Sequence, residues 1–170
     1  HRRGQRQHQA EAGALASRGG GLDAHAHRAE LGAHHAQADA AAGLLAAHLD
    51  EPGARKALDR ALDALEKVPP LLIESIDPCV RLAEAYVMLM RKAAASGGAE
   101  LAELDKQLTR TCAYARRLEK RFPIVVPDER HWRAEADWLL GRQSTALKHW
   151  QTAVAAAERT GMVYHQWRAH

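Results

Sequence analysis

Three stretches of this chain share one spacing: a residue, a second four positions on, and a third three after that. In order they are Ala57/Ala61/Ala64, Leu108/Cys112/Ala115 and Ala146/Trp150/Ala153. Steps of four and three return to one face of an α-helix, and another stretch of helical period precedes each of the three. Small residues at these steps let two helices approach closely, while a larger one such as Trp150 fills the groove between pairs. A chain patterned this way buries its apolar side by pairing helices. No segment alternates with period two for long enough to make a strand. The offsets between the three stretches are 51 and 38 residues, so the repeat is degenerate. The expected fold class is all-α, an array of antiparallel helical hairpins.

The punctuation along the chain agrees. Residues 1–35 are rich in Ala, Gly, His, Arg and Gln, with few large apolar residues beyond Leu15, Leu22 and Leu31. Such a segment offers little apolar surface to offset the entropy of ordering it, and is expected to be low-complexity and mobile or weakly helical. The helical-repeat array is expected over 36–170. Ala41, Leu44, Leu45 and Leu49 mark a first short helix that stops near Asp50-Glu51-Pro52-Gly53. Ala57, Leu58, Ala61, Leu62, Leu65 and Val68 mark a second, opposed by charged residues and ended by Pro69-Pro70. Asp77 suits an N-cap and Pro78 the first helical position of a third, with Gly97-Gly98 as its exit. The run Ala85 to Met90 is apolar around most of the circumference, which predicts packing on both sides. A fourth helix over about 99–121 carries Leu101, Leu104, Leu108, Thr111, Ala115, Leu118 and Phe122. Pro127-Asp128 opens a fifth with Trp132, Ala136 and Leu139, and a sixth carries Ala146, Trp150, Ala153 and Ala157 up to Gly161. Residues 162–170 read as the first turns of another helix. The chain opens on His1 without an initiator Met and ends at His170, so both ends are expected to be cuts.

Charge and composition narrow the function classes. The net charge is only +3, and the basic residues are scattered, so no nucleic-acid footprint is implied. Arg116, Arg117, Lys120 and Arg121 do bunch, but on a helical pattern that reads as a solvated face. The longest apolar run, Ala40 to Ala47, is far too short to cross a bilayer, and no secretory leader opens the chain. Two cysteines, Cys79 and Cys112, cannot staple a domain of this size and are expected to be reduced, buried thiols. A cytoplasmic protein is expected.

The most specific residues lie toward the end. Gly141 followed by Ala146, Trp150 and Ala153, at offsets of five, nine and twelve, resembles the second half of a tetratricopeptide repeat. Arg121-Phe122-Pro123-Ile124 to Pro127, then Ala136 to Gly141, then Ala156 to Met162 with Tyr164, are similar to the helical-repeat regions C-terminal to the ATPase module of large bacterial signalling proteins. These include adenylate/guanylate cyclases, serine/threonine kinases and transcriptional regulators. The resemblance covers about 99–170, thins over 36–98 and is absent before that. It implies a degenerate tetratricopeptide-like array, an α-solenoid fragment acting as a regulatory scaffold beside a catalytic domain. Two residues depart from the pattern: Arg133 and Asp137 stand where a tetratricopeptide helix prefers a large apolar and an aromatic residue. No partner-groove residue is therefore carried over.

Phosphate-cradling glycine loops, zinc-protease, paired-cysteine and serine-hydrolase motifs are all absent. His25, His27, His34 and His35 cluster, but zinc usually needs four ordered ligands on a rigid frame, and compositional bias accounts for them better. His131, His149 and His165 lie close to tryptophans and read as surface or groove residues. Trp132, Trp138, Trp150 and Trp167 read as core residues before a base-stacking platform. Cys79 falls near a helix start, a place that can lower a thiol pKa. No catalytic, cofactor-binding or metal residue is assigned, and no cofactor is expected. The function expected is a non-catalytic regulatory or protein-interaction scaffold of a larger intracellular signalling protein. Its partner would be a protein, a peptide or an adjacent catalytic domain, with neither a membrane nor nucleic acid as partner of this segment. The alternatives are the repeat region of a DNA-binding transcriptional regulator and a small helical metal-binding or enzymatic domain.

Overall fold

The computed structural model describes residues 27–44, 46 and 53–162. Among these, six helices occur and no strand. Helix α1 covers 27–44, α2 Ala54–Glu66, α3 Ile76–Ala95, α4 Leu101–Glu119, α5 Val126–Leu139 and α6 Gln143–Thr160. They pack as hairpin-like pairs, α1 with α2, α3 with α4 and α5 with α6. The three stretches of four-then-three spacing fall on α2, α4 and α6, the second helix of each pair.

Two kinds of connection alternate. Turns inside a pair run through glycine in the left-handed region: Gly53, then Gly97 and Gly98, then Gly141. At the end of α5, the Arg142 N–H donates to the Asp137 carbonyl at 2.8 Å, a closure that needs positive φ at Gly141 (φ 74°). Connections between pairs run instead through proline and a short 3-10 turn, Ile73–Ser75 before α3 and Pro123–Val125 before α5. Proline cannot continue the preceding helix, and the tight turn re-aims the chain across the stack. The unequal offsets follow from the pieces: α3 has 20 residues and α5 only 14.

One continuous core runs through α1 to α5. Leu58, Leu62 and Leu65 of α2, Leu82, Tyr86, Val87 and Met90 of α3, and Leu104, Leu108 and Leu118 of α4 are all fully or almost fully buried. Helix α3 packs on α2, α4 and α5, which is why its middle is apolar on more than one side. Buried polar handles fix the register between pairs. The Tyr86 hydroxyl donates to Asp59 of α2 at 2.9 Å, and the Tyr114 hydroxyl donates to the Val68 carbonyl at 3.2 Å.

Some local readings are corrected. Asp77 is not the N-cap of α3: the helix starts one residue earlier at Ile76, with Ser75 in the cap position. Asp77 instead pairs with Arg81 at 2.8 Å, one turn on. Pro78 is tolerated because N–H groups of a first turn have no helical partner to lose. Helix α1 reaches back to 27, so residues 27–35 of the low-complexity segment are helical, with Ala33 buried. Its inner face is Ala33, Ala36, Ala40 and Leu44, whereas Ala41 is exposed. Residues 1–26 and 163–170, including His25, Tyr164, His165 and Trp167, lie outside the described residues, as does Leu49.

Small residues let α1 lie close on α2. A methyl group on Gly43 would sit 2.5 Å from Leu58 Cδ2 and 2.8 Å from its Cγ. Gly43→Leu is expected to cost about 1–3 kcal/mol by overpacking. Gly43→Ala should cost less, because alanine recovers about 1 kcal/mol of helix propensity. Urea unfolding of both variants checks this; an unchanged midpoint for Gly43→Leu would mean that α1 does not pack here.

Candidate functional site

The polar side chains of the described residues converge where α4, α5 and the start of α6 meet. Arg133 and Asp137 are four apart on α5 and face inward. The Arg133 guanidinium pairs with Asp137 at 2.7 Å and with Asp105 of α4 at 2.8 Å. It also donates to the Thr109 hydroxyl at 3.2 Å. Arg142, just ahead of α6, spans the same two carboxylates at 3.1 Å and 2.9 Å. His149, nearly two turns into α6, places Nε2 3.5 Å from the second oxygen of Asp137. The Asp137 side chain is 3% exposed. It ends up serving three basic groups from two helices and a turn.

Position by position, this seam replaces an apolar one. Ala134-Glu135-Ala136 on α5 repeats Ala83-Glu84-Ala85 on α3 at the 51-residue offset. At that offset Arg133 and Asp137 correspond to Leu82 and Tyr86, both fully buried. The departure noted in the sequence is therefore a buried ionic network standing where the preceding hairpin has leucine and tyrosine. Burial works against the Arg133 charge, but Asp137 and Asp105 outweigh it and leave its pKa raised. Burial also pulls His149 below the usual histidine range; Asp137 opposes this, while Arg130, Arg133 and Arg116 add to it. Desolvation and three guanidiniums together thus outweigh the lone 3.5 Å contact to Asp137.

Beside this network runs a cleft of about 280 Å³ lined by Thr109, Cys112, Arg116, Glu129, Arg130, Arg133 and His149. Glu129 is the one carboxylate among its lining residues. Its side chain is 5% exposed and pairs with Arg130 at 3.2 Å. Burial raises its pKa, against the pull of Arg130, Arg116 and a hydrogen bond from Cys112. Behind Glu129 lies a small cavity between α3, α4 and α5, lined by Cys79, Cys112, Val125 and Trp132 among others. Both cysteines are free and buried. Burial, with Glu129 and Asp128 adding, pushes the Cys79 thiol up to about 12, so the early position in α3 does not activate it. Its Sγ donates to the Thr111 carbonyl.

The other residues weighed in the sequence fall apart spatially. His27, His34 and His35 are exposed on α1, and among the described residues no three His, Cys, Asp or Glu side chains group to hold a metal. Of the tryptophans, Trp132 is buried but Trp138 is 48% exposed, which corrects its core assignment. Trp150 is half-buried and tilts against Trp138 of its own hairpin, with centroids 5.6 Å apart. Among the described residues it thus packs within its own hairpin, and no described helix covers the outer face of α6. Arg116, Arg117, Lys120 and Arg121 are exposed, as a solvated face requires. Among the described residues no helix is long and apolar enough to cross a membrane.

Comparison with family models, curated proteins and solved structures gives no match. The site is thus defined by its own geometry. Glu129 and Arg130 were not singled out from sequence, and the signal available for them was weak: a carboxylate one turn before the Arg133/Asp137 anomaly.

Proposed function

We propose that this chain is a non-catalytic regulatory and protein-interaction scaffold of a larger cytoplasmic signalling protein, built as a degenerate tetratricopeptide-like α-solenoid fragment. The observation that carries the reading is the recurrence of one unit. Paired helices joined by a left-handed glycine are followed by a proline and 3-10 link, and then by the next pair. Stacked units of this kind bury a shared core and leave an extended surface for contact. Two features suit that role. Leu71 and Ile73 in the first link and Ile124 in the second stand 60%, 61% and 46% exposed, so successive links offer apolar contact points. Along the α4–α5–α6 seam, Asp105 and Asp137 are engaged with Arg133 and Arg142, an arrangement that holds hairpins together.

The test is to titrate the chain into the separately produced remainder of its parent polypeptide. Calorimetry is expected to show saturable binding, accompanied by a changed rate of whatever reaction the remainder performs. Neither binding nor a rate change would sink the scaffold reading. Retention on duplex DNA that falls steeply with salt would instead move the chain to the DNA-binding class.

A further inference from the structure

The α4–α5–α6 cleft has an imbalance that the ionic network beside it does not resolve. Three of its lining residues are arginines and one is a carboxylate. Arg133 is already neutralised by Asp105 and Asp137. Arg130 has only the Glu129 carboxylate, at 3.2 Å. Arg116 uses its Nε on the Cys112 carbonyl one turn back, at 3.2 Å, and among the described residues no carboxylate pairs with it. The positive field is felt across the cleft, since His149 on the facing helix is held down by Arg130, Arg133 and Arg116 after burial itself. Two guanidiniums from different helices, α4 and α5, thus border one solvent-open groove without a full complement of anions.

We propose that this cleft binds a carboxylate side chain of an acidic peptide segment of the partner, with Arg116 and Arg130 as the binding cations. Guanidinium groups suit this because their planar forks donate paired hydrogen bonds to a carboxylate. The size of the space favours a peptide over a free small anion. At about 280 Å³ it exceeds many times what one water or one inorganic oxyanion fills. A glutamate side chain with its own backbone occupies such a groove, whereas a lone anion leaves it mostly water. Glu129 lines the same cleft, and its carboxylate is already engaged by Arg130 at 3.2 Å. The inference rests on the scaffold reading and specifies the chemistry of its partner.

The experiment uses the whole 170-residue chain and a fluorescein-labelled peptide of about six glutamates flanked by glycines, read by fluorescence polarisation at low and physiological salt. A glutamine peptide of equal length serves as control, and inorganic phosphate as competitor. The glutamate peptide is expected to bind and the glutamine peptide not, with affinity falling as salt rises. Arg116→Ala with Arg130→Ala should weaken binding by about tenfold or more. Arg117→Ala with Arg121→Ala, exposed residues that do not line the cleft, should leave it within about twofold of the native value. Equal losses in both pairs would show general attraction to a basic surface and overturn the site. So would absent peptide binding, or phosphate displacing the peptide at concentrations that leave the salt control unaffected. Melting curves of both variants guard against misfolding, and a single Arg116→Glu change at the exposed position gives a second readout. If the parent's remainder still binds the cleft variants normally while the peptide fails, this inference falls and the scaffold reading survives.

Discussion

Asp137→Ala should lower the unfolding free energy by about 3 kcal/mol, the low end of what removing one partner of a buried pair costs. The side chain it removes is 3% exposed and balances the guanidiniums of Arg133 and Arg142. The cost arises because the guanidinium of Arg133, itself 14% exposed, keeps only Asp105 as an anionic partner. That remaining contact is why the loss stays at the low end. The double replacement Arg133→Leu with Asp137→Tyr is expected to behave differently. It installs the pair that α3 carries at the corresponding positions, Leu82 and Tyr86, and leaves Asp105 paired with Arg142 at 3.1 Å. Exchanging a buried ion pair for packed apolar groups is often neutral or stabilising, so the double variant should lie within about 1 kcal/mol of the native chain. Chemical denaturation followed by circular dichroism measures both. A single variant losing under about 1 kcal/mol would mean that the seam is open to water and screened like a surface pair.

Trp132→Ala should be the most costly truncation among the described tryptophans, at about 3–5 kcal/mol. The ring is 4% exposed, belongs to the continuous core, and borders the small cavity between α3, α4 and α5. Removing it enlarges a space that already lacks atoms, and rigid helices on three sides cannot close around it. Trp150→Ala is expected to cost less than half as much, about 1–2 kcal/mol, because its ring only tilts against the exposed Trp138. The comparison is read from urea midpoints and from tryptophan emission, which should shift to the red most when Trp132 is lost. If the two variants lose equal stability, the outer face of α6 is covered by something more than Trp138.

Much of the architecture could be read in advance because helical spacing is local chemistry. The three stretches on α2, α4 and α6 were recognised from steps of four and three alone. Gly97-Gly98, Gly141 and Gly161 marked helix ends because only glycine takes the left-handed backbone without strain. Helix α1 was harder. Its inner face is mostly alanine and glycine, so the size of its apolar residues understated how closely it lies on Leu58. The site was visible only as an anomaly: Arg133 and Asp137 could be seen to break the pattern, but their partners Asp105 and Arg142 lie on other elements. Which tryptophan is core was equally hidden, since Trp132 and Trp138 both lie on α5 and spacing within one helix does not say which face another helix covers.

By itself, the order of residues determined that the chain forms amphipathic helices, where most of them stop, and that they pair. These outcomes depend on backbone propensity and on neighbours within a turn or two. The tertiary structure alone decided that α5 inserts a charged pair at a seam where α3 inserts leucine and tyrosine, and that Arg116, Arg130 and Glu129 border one cleft. Those outcomes depend on how far three helices approach one another and how much water they exclude, and burial rather than residue type then sets the strength of every charge placed there.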